Sequence, residues 1–169
     1  MEAGSIAGSD GSTSRADRAL LLFSLDDDDH AVEAAGVIEV VRAVSVTPLP
    51  GAPPPVRGAV DVRGVIAPVL DCRQCFGMAP GLPAPSEHFI IVRTAARLVV
   101  LAVDRVTDLV AVADTDLDRE PATTAAHVVA IVRRPGGLVQ LHDVAALLAP
   151  AEDHALGVAL ERAAASGAR

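Results

Sequence analysis

The sequence contains no tryptophan, tyrosine or lysine, and aromatic residues make up only 2% of its 169 residues. Without aromatic side chains, the chain lacks the usual means of stacking on the bases of single-stranded nucleic acid. Its formal net charge of −8 would repel the phosphate backbone of a duplex. Both absences argue against nucleic acid as a partner.

Cysteine is also scarce, with only Cys72 and Cys75 present, which is too few for the disulfide framework of a small secreted domain. No apolar run reaches the roughly 18 residues of a membrane-spanning helix. The Gly/Ser/Ala-rich start, Met1–Asp17, lacks the basic and apolar regions of a signal peptide. We therefore expect a cytoplasmic protein without direct membrane insertion, and a flexible N-terminal tail over residues 1–18.

Apolar residues are plentiful, at 51% of the chain, and they occur in short runs. Two runs, Gly58–Val62 and Val65–Leu70, are rich in β-branched residues and predict neighbouring strands. Arg63-Gly64 between them predicts a tight turn with the guanidinium in solvent, because Gly64 can adopt a positive φ. Val65–Leu70 does not alternate with polar residues, which predicts a strand covered on both faces.

Short strands with regular turn signals dominate the rest of the chain and predict an all-β body, either a barrel or a sandwich. Two halves can be distinguished, roughly 20–75 and 89–148, on either side of a Pro/Gly-rich loop over Met78–Glu87. The further predicted extended segments are Leu20–Leu25, His30–Glu33, Val37–Thr47, Phe89–Arg93, Arg97–Val103, Val106–Val112, Val128–Val132 and Leu138–Leu141.

Turns and helices are predicted at a few positions. Asp26–Asp29 predicts a solvated hairpin turn, since a calcium loop would separate its acidic residues and include a glycine. Asp71 and Asp143 are placed to cap short helices. A last helix is expected over Glu152–Ala165, with one apolar face formed by Leu156, Ala159, Leu160 and Ala163.

The central stretch, Val56–Cys75, resembles the signature of the CheW-like family, the adaptors of bacterial chemosensory arrays. Arg63-Gly64 stands at the family's Arg-Gly turn, and Pro68–Asp71 at its Pro-Val/Ile-x-Asp element. Several other family elements follow in the expected order. They are matched by Leu20–Leu25, Val37–Val40, Pro53–Val56, Ala102–Val106, and Leu138–Asp143 with Leu147-Leu148.

This resemblance implies a fold and a division of the chain. The implied fold is two interleaved small five-stranded SH3-like β-barrels that share a hydrophobic core, with short C-terminal helices. A CheW-like domain is then expected over residues 19–150, with its two barrel subdomains at roughly 20–75 and 89–148, followed by a C-terminal helix and tail over 151–169.

The resemblance also implies a non-enzymatic role without cofactors. The expected function is that of an adaptor bridging the cytoplasmic tip of a methyl-accepting chemotaxis receptor and the regulatory domain of a CheA-like histidine kinase. It would be recruited to membrane-associated receptor arrays. An alternative is the same scaffold in another signalling system, such as pilus motility or developmental signalling.

Partner-binding residues are expected around the central turn. The resemblance makes Arg63 a partner contact, whereas its sequence context alone allows a solvated turn residue or a salt bridge to Asp61. Val37, Glu39 and Val40 match the family's receptor-groove element, and the simpler interpretation is a half-buried strand. The full set of candidate interface residues is Arg63, Asp61, Gly64, Val37, Glu39, Val40 and Asp104.

Cys72-Arg73-Gln74-Cys75 forms a C-x-x-C motif, which in other contexts is a redox pair or half of a metal site. There is no second such motif, no βαβ context and no ligand-like histidine spacing. A structural role is therefore favoured, with thiol-based redox or metal sensing as the remaining alternative. Ser86-Glu87-His88 is not a triad merely by adjacency, so no catalytic residues and no metal site are expected.

Overall fold

The computed structural model describes residues 17–120 and 125–167. Short β-strands dominate it, as the run lengths predict, and the described C-terminus is a helix. The strands are β1 Arg18–Leu25, β2 Asp28–Glu33, β3 Val37–Arg42, β4 Val56–Val62, β5 Val65–Asp71, β6 His88–Arg93, β7 Leu98–Val103, β8 Arg105–Val112, β9 Leu117–Asp118, β10 Val128–Arg134 and β11 Gly137–His142. The helices are α1 Cys72–Cys75 and α2 Pro150–Gly167, with 3₁₀ turns at Ala34–Gly36, Asp114–Asp116 and Val144–Ala146.

The strands form two sheets, which confirms the predicted all-β class. The first has six strands in the order β8-β1-β2-β11-β10-β9, and the second has five in the order β3-β6-β7-β5-β4. Each sheet contains one parallel pair, β2 with β11 and β5 with β7. The first sheet has one strand more than expected, because the acidic segment after β8 contributes the two-residue β9.

The second sheet closes on itself, as a barrel requires. Its outer strands are β3 and β4, and Thr47, five residues beyond the end of β3, pairs antiparallel with Ala59 on β4. The backbone hydrogen bonds of this bridge are 3.0 Å and 2.8 Å long. This bridge satisfies backbone groups that an open sheet edge would expose.

The two sheets do not correspond to the two predicted halves of the sequence. The first sheet takes β1 and β2 from the start of the chain and β8–β11 from its end, while the second takes β3–β7 from the middle. The Met78–Glu87 loop connects β5 to β6, so it lies within the second sheet and does not divide the sheets. Interleaving itself is as expected, but the halves 20–75 and 89–148 do not each form one barrel.

A shared core holds the two sheets together. It contains Phe23 and Val32 from the first sheet, Ile90 and Leu101 from the second, and Leu156 from α2. Each sheet also encloses a smaller core of its own. Burying each large apolar side chain contributes about 1.5–3 kcal/mol, so this shared cluster makes the two sheets interdependent.

The central hairpin is partly misjudged by the sequence pattern. All of β7 is buried, as predicted for a doubly covered strand. On β5, however, Val65 is 49% and Ile66 44% exposed, and only Ala67–Asp71 is buried. The reason is that β7 pairs with β5 only over Val69–Asp71, which leaves the start of β5 uncovered.

Most predicted local signals are confirmed. Asp71 Oδ1 accepts a hydrogen bond from the Arg73 N–H at the start of α1, and Asp143 Oδ1 accepts one from the Ala145 N–H. Leu156 and Ala159 of α2 are buried. The acidic turn is narrower than predicted, because Asp28 and Asp29 already belong to β2.

The predicted tail is mostly outside the described residues. Residues 1–16 fall there, and Arg18 is the first residue of β1 instead of part of a tail. Its guanidinium pairs with Glu33 and, at 3.0 Å, with Asp114 Oδ1. Residues 168 and 169 of the predicted C-terminal tail also lie outside the described part of the chain.

Candidate functional site

The β4–β5 turn is tight and well ordered by its own residues. Val62 pairs with Val65, so the turn has only two central residues, Arg63 at φ 50° and Gly64 at φ 87°. Positive φ at both positions matches the twist of the flanking strands. Asp61 Oδ1 accepts a 2.7 Å hydrogen bond from the Gly64 N–H. The turn therefore presents Arg63 in one fixed place, and its side chain is 76% exposed.

Arg63 forms an ion pair with Glu39 on β3. Its Nη2 lies 3.0 Å from Glu39 Oε2, so the suggested salt bridge to Asp61 is wrong. The Asp61 carboxylate instead fixes the turn backbone. An exposed pair of this kind contributes about 0–1 kcal/mol, so Arg63 can exchange this partner for another carboxylate at little cost.

Not all the predicted interface residues on β3 face the same way. Val37 is partly buried and packs against the shared core, while Val40 is exposed. Glu39 and Val40, being adjacent in a strand, point to opposite faces. Of the residues predicted as an interface, the structure thus brings together Asp61, Arg63, Gly64 and Glu39, which we call the hairpin-tip surface.

The sequence pattern does not predict the exposed apolar residues beside this surface. Val65 and Ile66 follow the turn directly and are exposed, although their run of β-branched residues predicts burial. Only the register of β5 against β7 reveals them. An exposed arginine beside uncovered aliphatic side chains is a combination found at protein interfaces.

Asp104 lies at the end of the second sheet opposite to the Arg63 turn. It follows β7, whose last residues run parallel to the end of β5, whereas Arg63 precedes the start of β5. The length of β5 separates these ends by roughly 20 Å. Asp104 is therefore not part of the hairpin-tip surface.

Asp104 instead joins a charge network centred on Arg73 of α1. The Arg73 guanidinium pairs with Asp104 and makes two 2.8 Å hydrogen bonds to Asp26 in the β1–β2 turn. Asp26 also donates its backbone N–H to Asp104 Oδ2 at 2.7 Å. The hydrogen bonds from Arg73 lower the pKa of Asp26, and those two carboxylates raise the pKa of Arg73. These contacts tie two turns to α1, so Asp104 helps to hold a turn in place.

The two cysteines occupy positions that disfavour thiol chemistry. Cys72 is fully buried in the shared core, and Cys75 is half-buried against it. Burial raises the pKa of the Cys72 thiol well above its ordinary value and the pKa of Cys75 to about 12. Since the thiolate is the reactive and metal-binding form, these positions favour packing over redox chemistry.

Two further observations concern the residues that the structure describes. Within them, no group of three or more His, Cys, Asp or Glu side chains is arranged to hold a metal ion. Over the same ranges, we find no helix with the length and apolarity needed to span a membrane.

Comparison with known proteins decides the family. A model described as "CheW-like domain" matches residues 19–152. The chain belongs to the CheW-like domain family. The resemblance seen in the central stretch and in the ordered motifs is thereby confirmed.

A CheW protein is among the relatives to which this chain is similar. The chain is 32% identical over 104 residues to the chemotaxis protein CheW of Rhizobium meliloti (strain 1021), a match that covers 62% of this chain and 67% of that protein. It is 26% identical over 125 residues to Protein FrzA of Myxococcus xanthus, covering 72% of this chain and 78% of the relative.

A solved CheW structure supports the fold. The crystal structure of the scaffolding protein TtCheW from Thermoanaerobacter tengcongensis superposes with a TM-score of 0.71 at 25% identity. The alignment covers 76% of this chain and 90% of that one. The two sheets described here thus correspond to the paired SH3-like barrels of a CheW scaffold, and the chain falls in the class of chemotaxis scaffold proteins.

Proposed function

We propose that this CheW-like chain is a non-enzymatic adaptor that bridges the cytoplasmic tip of a methyl-accepting chemotaxis receptor and the regulatory domain of a CheA-like histidine kinase. It would act at membrane-associated receptor arrays and need no cofactor. The observation that carries the proposal is the hairpin-tip surface, where a preordered turn presents Arg63 beside the exposed Val65 and Ile66.

The arrangement of this surface supports partner binding over an internal role. The Arg63 guanidinium has a single, exposed ion-pair partner among the described residues, Glu39, so its removal costs the fold little. The turn is rigid through the Asp61–Gly64 hydrogen bond, so little conformational entropy is lost when a partner binds. Scaffolding by such a surface relies on modest contacts that the array multiplies through effective concentration.

The proposal is tested by reversing the charge at the turn. Arg63→Glu should leave the thermal unfolding midpoint nearly unchanged, because the side chain is mostly in solvent. In a pull-down with the regulatory domain of a CheA-like kinase, we expect binding to weaken about 30-fold, the equivalent of one roughly 2 kcal/mol interface anchor.

The matched control is Arg162→Glu on the exposed face of α2, which makes the same charge change away from the turn. It should bind the kinase domain like the unmodified protein. A folded Arg63→Glu variant that binds as well as this control would show that the hairpin tip is not the kinase-binding surface.

A further inference from the structure

Three histidines from distant parts of the sequence form a continuous hydrogen-bonded chain. His30 lies on β2, His142 ends β11, and His127 immediately precedes β10. His30 Nδ1 is 2.9 Å from His142 Nε2, and His127 Nδ1 is 2.9 Å from His142 Nδ1. The parallel pairing of β2 with β11 brings the first two together, and the hydrogen bond from the Asp143 N–H to the His127 carbonyl, at 2.7 Å, holds the third. We call these residues the histidine chain.

The histidine chain is covered by the end of α1. Phe76 follows the last residue of α1 and stacks on His142, with ring centroids 3.9 Å apart and planes 10° from parallel. Its centroid is also 4.9 Å from that of His30 and 5.2 Å from that of His127. All three imidazoles therefore contact Phe76, and through this residue the end of α1 packs against the first sheet.

Protonation of the histidine chain is limited by its hydrogen bonds. A neutral imidazole carries one N–H donor and one acceptor, whereas its charged form has two donors. Each of the two N···N contacts holds one proton, so the central His142 must donate at one nitrogen and accept at the other while all three rings are neutral. With both contacts intact, at most one extra proton fits, because each contact holds one proton and only His30 Nε2 and His127 Nε2 lie outside the contacts. Charging all three rings requires both contacts to break.

The surroundings of the histidine chain also oppose positive charge. His30 is 7% and His142 2% exposed, and His30 Nε2 has no hydrogen-bond partner among the described residues. Burial lowers the pKa of each ring, and neighbouring imidazoles add to the lowering at His30 and His142, which together bring the pKa of His142 to about 3. Asp28 and Asp29 oppose this effect at His30.

The remaining neighbours do not compensate for charge on the central ring. Phe23 of β1 and Phe76 contact the rings without charge. Two acidic and two basic residues line the cleft beside His142, so that their charges balance. They are Glu33, Asp143, Arg93 and Arg119.

We propose that the histidine chain is an acid-sensitive link between α1 and the first sheet, closed while its three rings are neutral and opened when they bind protons. In the unfolded or opened chain each histidine titrates at its ordinary value near 6.5. The link therefore contributes its full stability above that pH and loses it as the pH falls below it. When it opens, Phe76 leaves the rings and Cys75 becomes accessible.

The first test measures unfolding by denaturant at pH 7.0 and pH 5.5. One histidine that is neutral when folded raises the unfolding constant about eightfold between these pH values. We expect His142→Gln to show a rise about eightfold smaller than that of the unmodified protein. The control His154→Gln, at an exposed position of α2, should leave the rise unchanged. An unchanged rise in His142→Gln overturns the proposal.

Two further measurements test the proposal even if His142→Gln does not fold. His127→Gln alters the half-buried end of the histidine chain. It should also reduce the rise of the unfolding constant between pH 7.0 and pH 5.5. In the unmodified protein, ring NMR should show His142 neutral at pH 5.5. A His142 midpoint near 6.5 in the folded protein contradicts the proposal.

The link to α1 needs its own readout. Reaction of Cys75 with a dipyridyl disulfide is measured at both pH values and divided by the rate of an unstructured cysteine peptide. We expect this ratio to rise at least severalfold at pH 5.5 in the unmodified protein. Equal ratios at the two pH values would show that the histidine chain does not control α1.

Discussion

Gly58 on β4 lies at the bridge between Thr47 and Ala59 that closes the second barrel. It has φ 154°, and a Cβ built there would lie 2.2 Å from the Thr47 carbonyl oxygen. That oxygen accepts the Ala59 N–H in the bridge between Thr47 and β4. The absence of a side chain at this position thus lets the two outer strands approach each other.

We predict that Gly58→Ala destabilises the protein by about 2–3 kcal/mol, since the added methyl group must displace backbone and not a flexible side chain. Gly136→Ala is the control, because a Cβ there meets no atom of the described residues within 4 Å. Denaturant unfolding followed by circular dichroism measures both variants. Equal stability of Gly58→Ala and Gly136→Ala would show that the close approach of Thr47 to β4 does not contribute to stability.

Single residues were predictable where the determining contact is local. The Arg63-Gly64 turn and the Asp71 cap depend on neighbours within three residues, and both are confirmed. The partner of Arg63 was not predictable, because Glu39 is 24 residues away while Asp61 is closer in sequence. The histidine chain was missed for the same reason, since His30 and His142 are 112 residues apart.

At the scale of elements, α1 is held mainly by what surrounds it. Four residues are too few for a stable isolated helix. Its position depends on the Arg73 network with Asp26 and Asp104, on Phe76 against the histidine chain, and on Cys72 in the shared core. Loss of any of these contacts should loosen the turns that α1 connects.

We predict that Arg73→Ala lowers the free energy of unfolding by about 1–3 kcal/mol at pH 7, because the guanidinium is largely buried between two carboxylates. Arg73 holds the pKa of Asp26 below its ordinary value of 3.8. The ion pair therefore stabilises the fold above that pH, and its contribution is lost as the pH falls through the lowered pKa.

The difference in stability between Arg73→Ala and the unmodified protein should accordingly shrink between pH 5 and pH 2.5. Denaturant unfolding at several pH values measures it, with Arg133→Ala at an exposed position of β10 as the control. A difference that stays constant over this range would show that Arg73 acts by packing alone.

Elements with long apolar runs were predictable, and elements defined by pairing were not. β7 is buried throughout, as its uninterrupted run indicates. β9 has two residues and exists only because Leu117 and Asp118 pair with β10, a contact that no local pattern signals. The partly buried Arg57 and the buried Glu87 form an ion pair at 3.0 Å, and they too are 30 positions apart in the sequence.

For the whole molecule, the ordered family motifs predicted the fold better than the spacing of strands did. The motifs carry the interleaved barrels, whereas strand spacing alone suggests two consecutive halves. The halves fail because β2 and β11 pair across the ends of the chain, and β8 joins the first sheet directly after β7 of the second. A division by sequence cannot represent such long-range pairing.

This interleaving predicts that the sheets unfold as one unit. The chain passes between the sheets twice, once after β2 and once after β7, and the shared core takes side chains from both. Neither sheet can therefore open without exposing apolar surface of the other. Val132→Ala in the first sheet's own core and Val100→Ala in the second's should each cost about 1–3 kcal/mol.

Native-state hydrogen exchange distinguishes shared from separate unfolding. If the unit is shared, each variant lowers the protection of the slowest amides in both sheets by the same free energy. Loss of protection confined to β10 and β11 in Val132→Ala would instead show two independent units. The two variants are directly comparable, because both valines are fully buried and each substitution removes the same two methyl groups.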